Sequence, residues 1–276
     1  MKKAANGRLP ISMEIRPKEP FTETRLQKNE MFSVSLAGTR GRRDGKAPHN
    51  HPEGQLVVVR DGLLIVSTNG ATLMLPPGHI GWIPPNETHA GAAFGITMGW
   101  NAYLHASLCR PLPKQPAVLK LTMLTEALFA RICKWTPSAG NSKVTYTRLL
   151  DVLLDELRSA QQEGLALPLP KDERLGLLVA QIAGDPSDKR SLKEYARSVG
   201  LSERSLSRLF RSETNMSLIE WRTMARMKSA IEQIGRGQSV TETAIAQGYD
   251  SISTFTAQFR KTFGVNPSQY RRRDRY

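Results

Sequence analysis

The chain has little of what would tie it to a membrane or an oxidising compartment. Two cysteines, Cys109 and Cys133, stand among 276 residues with no short spacing between them. That excludes a disulfide framework and a cysteine-based zinc motif, and leads us to expect a reduced, cytoplasmic chain. No stretch approaches the roughly 18 uninterrupted apolar residues of a spanning helix, so no membrane association is expected. After Met-Lys-Lys, the residues Gly7, Arg8 and Pro10 arrive before any apolar run, which argues against a secretion signal. Acidic residues are also scarce: 25 Asp+Glu face 39 Lys+Arg, a formal net charge of +14. Such a balance favours a polyanionic partner, nucleic acid or an acidic surface. The excess is spread evenly. Residues 171–276 hold 19 basic and 12 acidic side chains, leaving 39−19=20 and 25−12=13 for the rest, so each part carries +7.

What is present divides into two textures, as the length leads one to expect. Residues 1–30 are rich in charge, Pro and Thr without a period and read as a flexible arm. From Met31 to about Leu112 the chain reads as strand. Gln55–Arg60 and Leu63–Thr68 are separated by Asp61-Gly62, and Asn69-Gly70 looks like a hairpin turn in which both central residues take positive φ. Many short strands punctuated by Gly and Pro suggest a small barrel or sandwich. Beyond Pro111, Pro113 and Pro116 the period becomes helical, with Leu121, Leu124, Leu128 and Ile132, then Leu150, Leu153, Leu154 and Leu157. These helices either cover the barrel or carry a dimer interface on their outer stripes. The residues 31–165 thus form one domain, and Gly164–Pro170 reads as a linker.

An internal duplication follows. Ser191-Leu-Lys-Glu194 is a capping box, and Ser239-Val-Thr-Glu242 repeats it 48 positions later. Ala196 and Gly200 recur as Ala244 and Gly248; past one inserted residue, Phe210-Arg211 recurs as Phe259-Arg260 and Trp221 as Tyr270. Each copy has the layout of a helix-turn-helix, at about 192–213 and about 240–263. A short helix carries a small Ala for close crossing, a glycine makes the turn, and Ser202 or Asp250 can cap the second helix. Leu206, Leu209 and Phe210, or Phe255 and Phe259, form its inner stripe. The outer face of the first copy presents Arg204, Ser205, Ser207, Arg208 and Arg211, side chains suited to base edges and phosphates. In the second copy, Ser253, Thr254, Thr256, Ala257 and Arg260 stand there. A continuous helix from about Leu218 to Ile234 joins the copies and would hold two reading helices about one DNA turn apart.

Residues 171–276 resemble the AraC/XylS-type DNA-binding domain. The resemblance rests on Ser202-Glu-Arg-Ser-Leu-Ser-Arg-Leu-Phe210, Gly248-Tyr-Asp-Ser251, Phe259-Arg260 and Gly264-Val-Asn-Pro-Ser-Gln-Tyr270. It implies a seven-helix fold and an activator or repressor acting on double-stranded DNA, with RNA polymerase as a further partner. By the family pattern, base contacts fall on Arg204, Ser207 and Arg208, and on Ser253, Thr254 and Ala257. Asn215 stands where the family usually has Gly, and Leu218 where Pro is common.

In the first domain, His49-Asn-His51 places two imidazoles on one side of an extended segment, with Gln55 on the same parity. Gly78-x5-Pro84-x-Asn86-x2-His89 adds a third imidazole. This resembles the two cupin motifs, which implies His49, His51, Gln55 and His89 around one divalent transition metal, Zn or Ni, inside a β-barrel. Here Gln replaces the motif Glu and Asn86 the motif Gly. The other reading is a metal-free pocket whose histidines bind an effector or one another. Trp82 and Trp100 read as core, and Trp82 is also a pocket candidate. The expected protein is an α+β, two-domain regulator: a cupin-like effector-binding and dimerisation barrel with flanking helices, then an all-α reader. It pairs as a homodimer and is not an enzyme. A cupin dioxygenase or isomerase carrying a DNA module, and a DNA-binding protein without an effector, are the alternatives.

Overall fold

The computed structural model describes residues 32–39, 43–44, 47–134 and 143–273. The arm expected over residues 1–30 lies outside them. The strands are β1 (Phe32–Thr39), β2 (Arg43–Asp44), β3 (Gly54–Thr68), β4 (Ala71–Leu75), β5 (His79–Ile83), β6 (His89–Leu104), β7 (Ala117–Lys120) and β8 (Ala166–Pro168). Helices α1 (Met123–Cys133) and α2 (Lys143–Ser159) sit between β7 and β8. Then come α3 (Glu173–Gly184), α4 (Leu192–Ser198), α5 (Glu203–Thr214), α6 (Leu218–Gly235), α7 (Val240–Ala246), α8 (Ile252–Phe263) and α9 (Pro267–Arg273). A sheet-rich domain followed by a helical one is the architecture the sequence led us to expect.

Closure of the barrel is the point of difference. β3 and β6 are antiparallel over nearly their whole length, with β1 and β2 on the far edge of β6. The other edge of β3 is shared, its first half pairing β5 and its second half β4; β7 extends β5 and β8 extends β4. Among the described residues this branched pairing never returns to its start, so the sheet is open. Asp61-Gly62 is not a turn. It is an irregularity inside the 15-residue β3, with register shifts at Val59/Asp61 and Asp61/Leu63 and Gly62 at φ 78°. An extra residue of this kind exchanges the faces of the side chains that follow. Asn69-Gly70 does turn the chain from β3 to β4, but neither residue has positive φ. The Thr68 hydroxyl fixes that turn instead, accepting from the Gly70 and Ala71 amides.

The face exchange decides what each part of the sheet covers. Val57 and Val59 share an inner cluster with Leu64, Val66, Leu73, Leu75 and Ile83. Leu56 and Val58 face outward, where Phe129 of α1 and Leu153 of α2 pack over them. Past the bulge the outward residues are Leu63 and Ile65, and they cluster with Met227, Ile231, Phe255, Phe259 and Tyr270 of the helical domain. The segment read as a linker is tied down as well. Its β8 strand pairs β4, Leu169 N–H donates to the Gly70 carbonyl, and Trp221 Nε1 donates to the Pro168 carbonyl at 2.7 Å.

The duplicated devices appear as expected. Ser191 with Glu194 and Ser239 with Glu242 form reciprocal capping boxes, and Ser217 with Glu220 makes a third on α6. Gly200 and Gly248 sit at φ 68° and 72° in the two turns, and Ala196 and Ala244 are buried at the crossings. Asn215 ends α5 in the left-handed conformation that Gly264 supplies for α8, so Asn does the work of the family glycine. Asp250 is not the cap of α8. Ser251 caps it, and Asp250 reaches Lys189 in an ion pair at 2.6 Å.

Candidate effector pocket and nucleic-acid interface

The histidines are brought together by strand pairing. His49 and His89 exchange both backbone hydrogen bonds, at 3.1 and 2.8 Å, which sets their rings side by side with centroids 4.5 Å apart. The His51 carbonyl accepts from the Asn86 amide at 2.8 Å, and the His51 ring meets His89 edge-on at 5.1 Å. Asn86 adopts φ 63°, a left-handed conformation that Asn tolerates better than most residues, so its replacement of the motif glycine leaves the loop intact. His51 and His89 are buried and His49 half-buried. One ring nitrogen from each lies within 4.8 Å of the others.

The tautomers follow from the partners. Each Nδ1 faces a backbone carbonyl: Ala47 for His49 at 3.1 Å, Glu53 for His51 at 2.9 Å, and Glu87 for His89 at 2.9 Å. A carbonyl only accepts, so each Nδ1 carries a proton and each Nε2 lies on the other side of its ring; His51 Nδ1 also stands 3.5 Å from the Glu53 carboxylate. This carbonyl-backed arrangement is typical of metal-ligating histidines. Gln55 completes the set. Its Oε1 stands 3.3 Å from His51 Nε2, while its Nε2 donates to Asn101 Oδ1 at 2.7 Å and Asn101 Nδ2 donates to the Tyr103 hydroxyl at 3.1 Å. Asn101 and Tyr103 on β6 were not singled out from the sequence. The signal was cross-strand parity: Gln55 pairs Tyr103 and Val57 pairs Asn101, so all share one face. Trp82 does not join them. It pairs Leu56 on the opposite face, is fully buried in the core beneath α1 and α2, and donates from Nε1 to the Pro113 carbonyl. It therefore acts as packing rather than pocket.

In the helical domain, α5 exposes Arg204, Ser207, Arg208 and Arg211 along one side at helical spacing, and these residues with Ser212 line a shallow concavity. Leu206 and Phe210 hold the opposite side in a core with Tyr195 and Trp221. Ser205 is half-buried, and its hydroxyl takes the Ser202 hydroxyl hydrogen bond at 2.9 Å, so it belongs to the cap. Thr254 on α8 is exposed, and its hydroxyl meets that of the cap residue Ser251 at 2.8 Å. Ser253, Ala257 and Arg260 of α8 are exposed and Thr256 is half-buried. α6 has 18 residues, so the two modules are joined by a strut of about 27 Å. Among the described residues, no helix is long and apolar enough to cross a membrane.

A sheet-borne polar pocket joined to two helix-turn-helix units defines a ligand-responsive, DNA-binding transcription regulator. Residues 33–179 match the AraC-like ligand binding domain family, and residues 195–273 match a helix-turn-helix domain family. The chain belongs to the AraC family of transcriptional regulators. It is 29% identical over 226 residues to the HTH-type transcriptional regulator NimR of Escherichia coli K12, covering 80% of this chain and 81% of that one. It is 26% identical over 226 residues to the arabinose operon regulatory protein of the same organism, covering 75% and 76%. It is also similar to the structure of ToxT from Vibrio cholerae, with 11% identity and TM-score 0.39 over 88% of this chain and 99% of that one.

Proposed function

We propose that this regulator is governed through its histidine pocket. His49, His51 and His89, with the amide oxygen of Gln55, hold one divalent transition ion, Zn or Ni, beside which a small-molecule effector docks. The observation that carries this reading is the convergence of one ring nitrogen from each of the three histidines within 4.8 Å, with Gln55 Oε1 3.3 Å from His51 Nε2. An oxygen and a ring nitrogen at that distance are held together either by a proton on the nitrogen or by a cation that both ligate. An ion bound there supplies that charge and a coordination position for a ligand atom. Around it the protein's own groups fix the orientation: three carbonyls hold the imidazole tautomers, and Asn101 turns the Gln55 oxygen inward. Both amides could instead be reversed, with Tyr103 donating to Asn101, Asn101 to Gln55 and Gln55 to His51. That arrangement needs no ion and is the competing state.

The remaining assignments rest on the same reading. The relatives are regulators, and a neutral amide in place of a motif carboxylate removes a general base, so the protein is a non-enzymatic switch. It works in the cytoplasm as a homodimer, with exposed Met123 and Leu124 on α1 and Val144 and Val152 on α2 offering an apolar face for pairing. DNA and RNA polymerase are its macromolecular partners. Elemental analysis of purified full-length protein tests the pocket. Near-stoichiometric Zn or Ni, lost in His51→Ala, is expected. Protein that stays metal-free after incubation with Zn, Ni, Mn and Fe overturns the ion reading and leaves a pocket held by hydrogen bonds alone.

A further inference from the structure

The two reading helices present different chemistry on equivalent faces. On α5 the exposed side holds Glu203, Arg204, Ser207, Arg208 and Arg211. The equivalent positions of α8 hold Ile252, Ser253, Thr256, Ala257 and Arg260. Three arginines thus correspond to one, and the rest of the second set is small or methyl-bearing. Ile252 remains 46% exposed at the first position of α8, where the first copy has a carboxylate. α3, α4, α5, α6 and α7 each carry a glutamate in the first turn, whereas α8 has no acidic residue there. A first-turn acid stabilises a helix. At α8 the sequence forgoes that gain and leaves a branched hydrocarbon in water instead.

Base edges give these surfaces distinct partners. An arginine donates two hydrogen bonds to guanine O6 and N7, whereas Ala and Thr methyl groups suit the C5-methyl of thymine. The hydroxyls of Ser251, Ser253 and Thr254 engage one another at 3.0 and 2.8 Å within the cap, and beside them stand the exposed side chains of Ile252 and Ala257 and the half-buried Thr256. We propose that α8 reads thymine methyl groups through Ile252, Thr256 and Ala257, while α5 reads guanine. The operator is then chemically asymmetric, with a guanine-bearing half under α5 and a thymine-bearing half under α8. This rests on the reading of both helices as major-groove readers.

Replacing thymine by deoxyuridine removes one methyl and keeps every hydrogen-bonding group. Duplexes enriched from a random pool by the full-length protein supply the operator, which is then substituted one thymine at a time. In one half, each contacted thymine replaced by deoxyuridine should weaken binding about fourfold, the worth of one buried methyl, with no effect in the other half. 7-Deazaguanine should give the opposite pattern. Ile252→Ala, an exposed change that leaves the fold intact, should blunt the deoxyuridine effect, and Arg208→Ala should blunt the deazaguanine effect. Deoxyuridine that is silent throughout, or a deoxyuridine effect lost in Arg208→Ala and kept in Ile252→Ala, overturns the assignment. Enrichment of no duplex at all would instead remove the sequence-specific reader on which the proposal stands.

Discussion

Arg226, midway along α6, donates from Nε to the Pro186 carbonyl at 2.6 Å and from Nη2 to the Asp188 carbonyl at 3.1 Å. Its guanidinium also lies 5.8 Å from the ring centre of Tyr249, in the turn of the second module. Gly248 completes the contact: a Cβ there would come within 2.9 Å of Ser187. One side chain on the strut thus bolts the loop before the first module to the turn of the second. The spacing of the two readers is set by this bolt as well as by helix length.

Arg226→Lys keeps the charge but cannot serve both carbonyls with a planar fork. We expect about 1.5–3 kcal/mol less stability in urea denaturation. Operator binding should also tolerate an inserted base pair between the half-sites better than the parent protein does. Unchanged sensitivity to spacing in a destabilised variant would show that the bolt serves folding alone.

The pocket makes a prediction through charge. Gln55→Glu places a carboxylate among the three imidazoles, so uptake of Zn or Ni should tighten by tenfold or more in competition with a chelator. Asn101→Ala leaves all four proposed ligands in place but releases the Gln55 amide. Affinity for the ion should fall by about 10- to 100-fold. Equal affinity in all three proteins would place the ion elsewhere.

The nucleic-acid face predicts a division of labour. Arg208→Ala should cost about 1–3 kcal/mol and relax the preference at one or two bases, whereas Thr256→Ala should cost less. Titrations of the parent protein against salt should give a log–log slope of minus several, because phosphate contacts release counterions. A flat salt dependence would be incompatible with the arginine-lined face of α5 as a DNA surface.

The contact between the domains can be loosened from the sheet side. Ile65 is 4% exposed and belongs to the cluster that holds Ile231, Phe259 and Tyr270. Ile65→Ala should lose about 2–4 kcal/mol at that contact. Amide exchange should accelerate across Phe255–Tyr270 more than in Leu56–Val59. A fragment from Lys171 keeps both reading helices but loses Leu63, Ile65 and Met74, and with them Leu167 and the Pro168 carbonyl that Trp221 uses. It is expected to bind operator DNA and to melt below the full chain. Identical melting would mean that the contact contributes no stability.

The sequence made the helical domain legible because its devices are local. Capping boxes, turn glycines and i, i+3, i+4 stripes act within a few residues, and a duplication shows each of them twice. The pocket was half legible. His49, His51 and Gln55 declare themselves by alternation, but Asn101 and Tyr103 join them only through pairing with a strand some 46 residues away. The long β3 was read as two strands because Asp61-Gly62 carries turn chemistry, and a bulge uses the same residues. β8 was hidden for a related reason: Gly164, Pro168 and Pro170 look like a linker, yet an edge position accepts proline because one side of the strand needs no amide donor.

Leu167, on β8, has its side chain in the core of the first module with Leu175, Phe210 and Trp221, while β8 itself is hydrogen-bonded to β4. Leu63 and Ile65 reach the second module in a similar way. Sensor and reader therefore cannot be exchanged as independent cassettes at the proline-rich junction. A chimera joined at residue 170 would strand Leu167 without its receiving core and leave an apolar sheet face facing a foreign surface. A working graft would have to carry Leu167 and the Leu63, Ile65 and Met74 patch, or their complements, along with the helices.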